Sequence, residues 1–335
     1  MRLRIGKIAG LLTLAILSHP AFIHSNSDGI QRQVPVSSGD TLRVAAFGDY
    51  GSAGAAEAAV ARLVGSHAPD IIITTGDNSY GSKAIDVDVG QYYSSYIGHY
   101  VGWYGPGSVT NRFFPTLGNH DYSDGGRLSA YLAYFTLPES GALNENTSGN
   151  ERYYDFVRGS VHFFAIDSDE REVNGRDSTS TQARWLKTRL AASTSQWQVV
   201  YFHHAPYSSG LHGSELAMRW PFEDWGADAV FAGHDHVYER LSVDQNKDGK
   251  AIPYFIVGAG GRDLYNFGTP LEESVVRYSS DFGAMIVEAT DEYMSFKFYS
   301  INPSHGKAGL IDDFKIPRNP TVDEATWGMI KTIFE

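Results

Sequence analysis

The chain has 335 residues, enough for one large domain or two small ones with a sizeable core. It is 42% hydrophobic and 20% charged, which excludes intrinsic disorder, and its net charge of -12 argues against nucleic acid or an anionic membrane surface as the main partner. The absence of cysteine excludes a disulfide scaffold, a thiolate metal site, an iron–sulfur cluster and a cysteine nucleophile, so any metal must be held by oxygen or imidazole, for which 12 histidines are available.

Met1 to Lys7 carries Arg2, Arg4 and Lys7; Ile8 to Leu17 is then an uncharged, largely apolar run, followed by Ser18, His19 and Pro20. That is the layout of a secretory signal peptide. It is too short to span a bilayer, which takes about 20 apolar residues. The expected organisation is a leader over 1–26, a linker over 27–40 containing Pro35 and Gly39, one domain over 41–316 and a tail over 317–335. The protein is expected to be secreted or periplasmic, with no membrane association once the leader is removed. Asn146-Thr147-Ser148 is an N-glycosylation sequon, meaningful only in a host that glycosylates secreted proteins.

Leu42 to Phe47 reads as a strand ending in Gly48-Asp49, and Ala53 to Val64 as an alanine-rich helix. Ile71-Ile72-Ile73 is a β-branched run that stops at Gly76-Asp77. The spacing therefore predicts strand, helix, strand with an acidic residue at each strand exit, and parallel sheets bind ligands at the carboxyl ends of their strands. Gln91 to Phe114 is rich in aromatics and glycine and predicts a long loop, its rings packing it onto the body. Phe113 to Leu117 runs into Gly118-Asn119-His120-Asp121, and Val161 to Ile166 ends at Asp167. Thr179 with Gln182 suggests a capping box for a helix through Leu190. Trp197 to Phe202 ends in His203-His204, and Ala229 to Ala232 in Gly233-His234-Asp235-His236. Thereafter the pattern is nearly pure β: Tyr238–Val243, Ile252–Val257, Gly283–Ala289 and Tyr293–Tyr299. Asp244 to Gly249 resembles the start of a calcium loop, but Phe255 stands where such a loop needs Glu, so it reads as a hairpin turn.

Five clusters thus sit at strand exits: Gly48-Asp49-Tyr50-Gly51, Gly76-Asp77-Asn78-Ser79-Tyr80, Gly118-Asn119-His120-Asp121, His203-His204-Ala205-Pro206 and Gly233-His234-Asp235-His236. Singly each is an ordinary turn. Together they offer carboxylate and imidazole ligands without sulfur, a set suited to Fe, Zn or Mn, and two such ions can share a bridging carboxylate.

In order and type, the clusters resemble the motifs of the calcineurin-like metallophosphoesterases. Tyr80, in the form Gly-Asp-Asn-x-Tyr, is similar to the purple acid phosphatases, whose tyrosine ligates iron. The likeness runs from about Leu42 to Tyr299, with Val237 to Arg240 and Val257 to Gly261 also in the family's style. It implies an α/β fold of two packed mixed β-sheets flanked by helices in a single domain. It also implies a dinuclear centre: Fe(III) on Asp49, Asp77, Tyr80 and His236, and a divalent Fe, Zn or Mn on Asp77, Asn119, His204 and His234, with Asp77 bridging. His204 matches the family's His-x-Pro pattern through Pro206, and strand neighbours point to opposite faces, so His203 is expected to be buried and structural. His120 resembles the histidine that contacts phosphate, and His212 is the candidate for a second.

The activity implied is hydrolysis of phosphate monoesters by direct attack of a metal-bound hydroxide on phosphorus, with His120 and His212 as the catalytic pair on a small phosphate-ester substrate. A phosphodiesterase with the same centre stays open as an alternative, as does a non-catalytic binding protein that kept the fold.

Overall fold

A computed structural model describes residues 41–81, 84–123, 127–138 and 148–318. The expected leader and linker, Asn146 and Thr147 of the sequon, and all of the tail after Arg318 lie outside these residues. Strand β1 (Leu42–Phe47) is buried along almost its whole length, and such a strand needs a partner on both edges. On one edge it pairs parallel with β2 (Ile71–Thr74), reached through α1 (Ala55–Ser66), and β2 pairs parallel with β3 (Phe113–Pro115). Helix α1 buries Ala59, Val60, Leu63 and Val64, the stripe expected of an amphipathic helix laid on a sheet.

β4 (Tyr154–Arg158) through β10 (Ser274–Tyr278) make the second sheet, in the order β10-β8-β9-β7-β6-β5-β4. Its centre is parallel: β5 (Val161–Ala165), β6 (Trp197–His204), β7 (Ala229–Gly233) and β9 (Ile252–Val257). β8 (Tyr238–Val243) joins β9 as an antiparallel hairpin. The hairpin closes through the expected turn: the Asp244 carboxylate accepts from Asp248 N and Gly249 N, with Lys247 at φ 60° and Gly249 at φ 87°.

The chain then returns to the first sheet. β11 (Phe282–Ala289), β12 (Tyr293–Ile301) and β13 (Ala308–Pro317) form an antiparallel meander whose leading strand covers the other edge of β1, giving the order β13-β12-β11-β1-β2-β3. The first sheet is thus closed by the last strands of the β-rich end of the chain, because β1 would otherwise leave a buried edge unpaired.

Facing rings join the two sheets. Phe255 lies 4.6 Å from Phe296, and Tyr238 stacks at 3.9 Å on Phe298. A second apolar layer, with Leu186, Val200, Phe202, Trp220 and Phe222, lies under α5 (Thr181–Ala191) and α6 (Phe222–Trp225). The N-cap of α5 is Ser180, whose hydroxyl accepts from Ala183 N, and not Thr179. The Gln182 amide instead grips the backbone of Asp167 from both sides.

The aromatic stretch is led in by a wide helical turn, Asp86–Gly90, begins with the single turn α2 (Gln91–Tyr93) and a 3-10 turn, Ser94–Tyr96, then runs irregularly to β3. Tyr93 is fully buried, and Asp86 accepts from the hydroxyls of both Tyr100 and Tyr134, so these rings pack the loop onto the body while Trp103 stays exposed. Tyr134 ends α4 (Arg127–Tyr134), which follows α3 (Asn119–Ser123). Because Phe255 is fully buried between the sheets, Phe255→Ala is expected to cost about 3–5 kcal/mol. Urea unfolding followed by circular dichroism checks this as a lowered midpoint with an unchanged m-value.

Candidate metal centre

All the candidate ligands leave the carboxyl ends of parallel strands: Asp49 follows β1, Asp77 and Tyr80 follow β2, Asn119 opens α3 after β3, His203 and His204 end β6, and His234 and His236 follow β7. The turns that carry them are strained. Asp49, Asp77 and His234 have φ of 56°, 53° and 70°, a region that costs a non-glycine residue about 1–3 kcal/mol and persists only where surroundings over-determine it. Those surroundings are mutual. Asp49 N donates to Gly76 O, His234 N to Asp49 Oδ2 at 3.0 Å, and His120 N to Asp77 Oδ1 at 2.9 Å. Gly118 is required beside them, since a Cβ there would collide with Asp77 Oδ1.

Two groups of donors result. In the first, the Tyr80 hydroxyl lies 3.2 Å from His236 Nε2 and 3.5 Å from Asp49 Oδ1, and His236 Nε2 lies 3.4 Å from Asp49 Oδ1. In the second, His203 Nε2 lies 3.0 Å from Asn119 Oδ1, 3.2 Å from His234 Nδ1 and 3.5 Å from Asp77 Oδ2. Both histidines of the pair reach this group, in different ways. His203, not His204, faces Asp77 and Asn119, while His204 Nδ1 lies 2.9 Å from the Ser168 hydroxyl. The pairing of β6 with β7 shifts register between Tyr201 and His204, so the alternation of a regular strand fails there. His203, His204 and His234 all bring a ring nitrogen into one cluster.

The electrostatics of both groups call for added positive charge. Burial, then the Asp49 charge, pushes Asp77 up to about 7. Burial lowers His204 to about 3 and holds His234 far below the usual imidazole range, with neighbouring histidines adding to both, so these rings keep their lone pairs. Burial also works to lower His236, but the hydrogen bond and charge of Asp49 outweigh it and its pKa is raised.

The tautomers agree. His203 Nδ1–H donates to the Thr75 carbonyl and His236 Nδ1–H to the Asp263 carbonyl, leaving each Nε2 turned inward. Metal-binding histidines are oriented in this way, by a carbonyl on the other ring nitrogen. Buried oxygen and nitrogen donors with inward lone pairs fit hard or borderline cations.

His120 and His212 border this cluster. His120 lies 4.5 Å from the Tyr80 ring, and His212 stacks at 4.2 Å on His234. Several partners carried no separate sequence signal. The Asp121 carboxylate ties the second turn to the third, accepting from Asn78 N and Gly118 N, and burial, then the Asp77 charge, pushes it up to about 7. Asp235 accepts from the Ser208 hydroxyl and from His212 N, fixing the loop that carries His212. Tyr265 lies flat on His236 at 4.0 Å. Asp121 and Asp235 stand inside the quoted motifs, but ligand spacing does not distinguish a carboxylate that binds a metal from one that braces a turn.

Comparison with known proteins places this geometry in context. The sequence profile of the calcineurin-like phosphoesterases matches residues 39–238. Purple acid phosphatase 15 of Arabidopsis thaliana is 27% identical over 267 residues, covering 69% of this chain and 47% of that protein. Purple acid phosphatase 17 of the same plant is 25% identical over 280 residues, covering 75% of this chain and 78% of that protein. The chain therefore spans about half the length of the first relative and most of the second. In fold, a purple acid phosphatase from yellow lupin (Lupinus luteus) seeds superposes with a TM-score of 0.64 at 20% identity, over 85% of this chain and 55% of that one.

If His203 supplies the second group's imidazole, His203→Ala is expected to lose about one metal equivalent per chain, whereas His204→Ala keeps both. Elemental analysis of the purified variants checks this, and equal losses would refute the assignment.

Proposed function

The chain belongs to the calcineurin-like phosphoesterase family, and on that premise we propose that it hydrolyses phosphate monoesters at a dinuclear metal centre. The observation that carries this reading is the convergence of Asp49, Tyr80 and His236 beside Asn119, His203 and His234, with Asp77 between the two groups. In this reading the first group holds ferric iron and the second a divalent Fe, Zn or Mn, with Asp77 shared. Tyr80 supports the ferric choice. Burial, then the Asp49 charge, holds its hydroxyl well above the usual tyrosine range, so ionising it there calls for a strongly acidic cation. Ions bound in these groups would supply Lewis-acid charge to the phosphoryl oxygens and acidify a water.

The chain's own residues do the rest. Asp77 Oδ1 holds the backbone of His120, and Asp235 Oδ1 holds that of His212, so both imidazoles are fixed beside the donors and reach toward solvent. There they can donate to phosphoryl oxygens as charge grows, and one can protonate the departing alkoxide. An acidic surface repels anionic esters at a distance, so capture rests on the local positive charge.

Export is part of the proposal and is supported by the basic-then-apolar start of the sequence. Among the described residues no helix is long and apolar enough to cross a membrane.

Metal-loaded protein is expected to release phosphate from an aryl monoester with a kcat/KM at least about tenfold above that for a bis-aryl diester, a difference of roughly 1.4 kcal/mol in barrier. The opposite ranking, measured by release of the aryl alcohol, moves the assignment to phosphodiesters. Phenolate bound to ferric iron absorbs visible light, so the oxidised iron-loaded protein is expected to be coloured and Tyr80→Phe to lose that band. An unchanged visible spectrum in Tyr80→Phe would remove Tyr80 from the first group.

A further inference from the structure

The loop after β9 is locked onto the first donor group. Gly260 N donates to Gly48 O at 3.0 Å, Arg262 N to the carbonyl of Asp49 itself at 2.9 Å, and Tyr265 N to His236 O at 3.1 Å. A Cβ at Gly258 would lie 2.7 Å from Asp49 Oδ2, so the loop approaches this closely only as glycine. Held in this way, Arg262 extends its guanidinium over the ring of Tyr80, 4.7 Å from the centroid, while the hydroxyl of that ring meets His236 and Asp49. The cation stands one ring's breadth from the centre.

Among the described residues, the two arginines that act on nearby His204 are already paired. Arg171 grips both oxygens of Asp169 at 2.6 and 2.8 Å, and Arg176 meets Glu215 at 3.1 Å. Among the described residues the only carboxylate paired with Arg262 is Asp263, at 3.6 Å and 74% exposed, a partner whose pull is largely screened by water. The Arg262 side chain is itself 42% exposed, so its fork of donors is available to solvent. A guanidinium of this kind matches a phosphate group with two parallel charge-assisted hydrogen bonds. In a chain of net charge -12, a substrate with an additional phosphate is repelled more strongly than a simple monoester, and a local cation is needed to hold it.

We propose that Arg262 binds a second phosphate, carried on the leaving-group side of the substrate, so that the preferred class is alcohols bearing two phosphates and not simple monoesters. This rests on the phosphatase reading and deepens it. The reaction is unchanged: a water oxygen forms the new bond to phosphorus, the bond to the alcohol oxygen breaks, that oxygen takes up a proton, and the second phosphate leaves with the alcohol.

The test compares metal-loaded wild type, Arg262→Ala and Arg262→Lys, each checked for wild-type circular dichroism and metal content. Calorimetric titration with propane-1,3-bisphosphonate and with propylphosphonate, neither of which can be hydrolysed, reads binding without turnover. Wild type is expected to bind the bisphosphonate about 10- to 100-fold more tightly, the range of one charged hydrogen-bonded contact. Arg262→Ala is expected to reduce that ratio to below about threefold, and Arg262→Lys to keep part of it, because lysine retains the charge without the fork. KM for propane-1,3-diol bisphosphate relative to propyl phosphate should move in parallel. Equal affinities in wild type, or an unchanged ratio in a folded, metal-replete Arg262→Ala, would overturn the inference. If wild type releases no phosphate from either ester yet shows Arg262-dependent discrimination in the titration, the hydrolytic reading falls while the Arg262 contact is supported.

Discussion

Two carboxylates, Asp49 and Asp77, are fully or almost fully buried within reach of one another, and this crowding is the constraint around which the site is organised. Burial and the Asp49 charge raise the cost of ionising Asp77, and the nearby histidines His204 and His234 are themselves held neutral. No packing of neutral side chains relieves such a cluster; cations do. The backbone pays for it in strain, with Asp49, Asp77 and His234 all in the left-handed region, and the two sheets supply the rigidity that keeps those turns bent. The link between sheet and chemistry is direct: parallel strands deliver their carboxyl ends to one edge, and antiparallel strands close the sheets elsewhere.

Around that centre the structure separates holding from selecting. Asp121, Asn78 and Asp235 are buried and bond to backbone and to neighbouring side chains, bracing one turn against the next. The rim is built differently. His120 in the first turn of α3, and His212, Arg262 and Tyr265 on loops, are anchored at the backbone, with side chains reaching solvent to different degrees. A site arranged in this way can keep its core chemistry while changes on the rim alter which esters it accepts.

Much of this was legible in the residues. Runs such as Ile71-Ile72-Ile73 that stop at Gly-Asp announce a buried strand and its exit, and the order of those exits placed every candidate ligand at one edge. Other strands were not legible. β10 and β13 lie at sheet edges, where one face meets solvent and polar residues such as Asp312, Asp313 and Lys315 break the apolar run. The return of β11 to the edge of β1 is a long-range pairing that no local pattern encodes. Alternation alone does not separate His203 from His204: it assumes a regular strand, and β6 shifts register against β7 just where the histidines stand, so both rings reach the cluster with His234. Arg262 and Tyr265 had no motif of their own, and only the fold brings their loop against Asp49 and His236.

The chemistry of the site depends most directly on where cations bind. A crystal structure of the metal-loaded protein, with anomalous maps collected at the absorption edge of each metal, measures this. Two peaks are predicted: one among Asp49, Tyr80 and His236, the other among Asn119, His203 and His234, with Asp77 touching both. A single peak, or a second one held by His204 with His203 turned away, would contradict this arrangement.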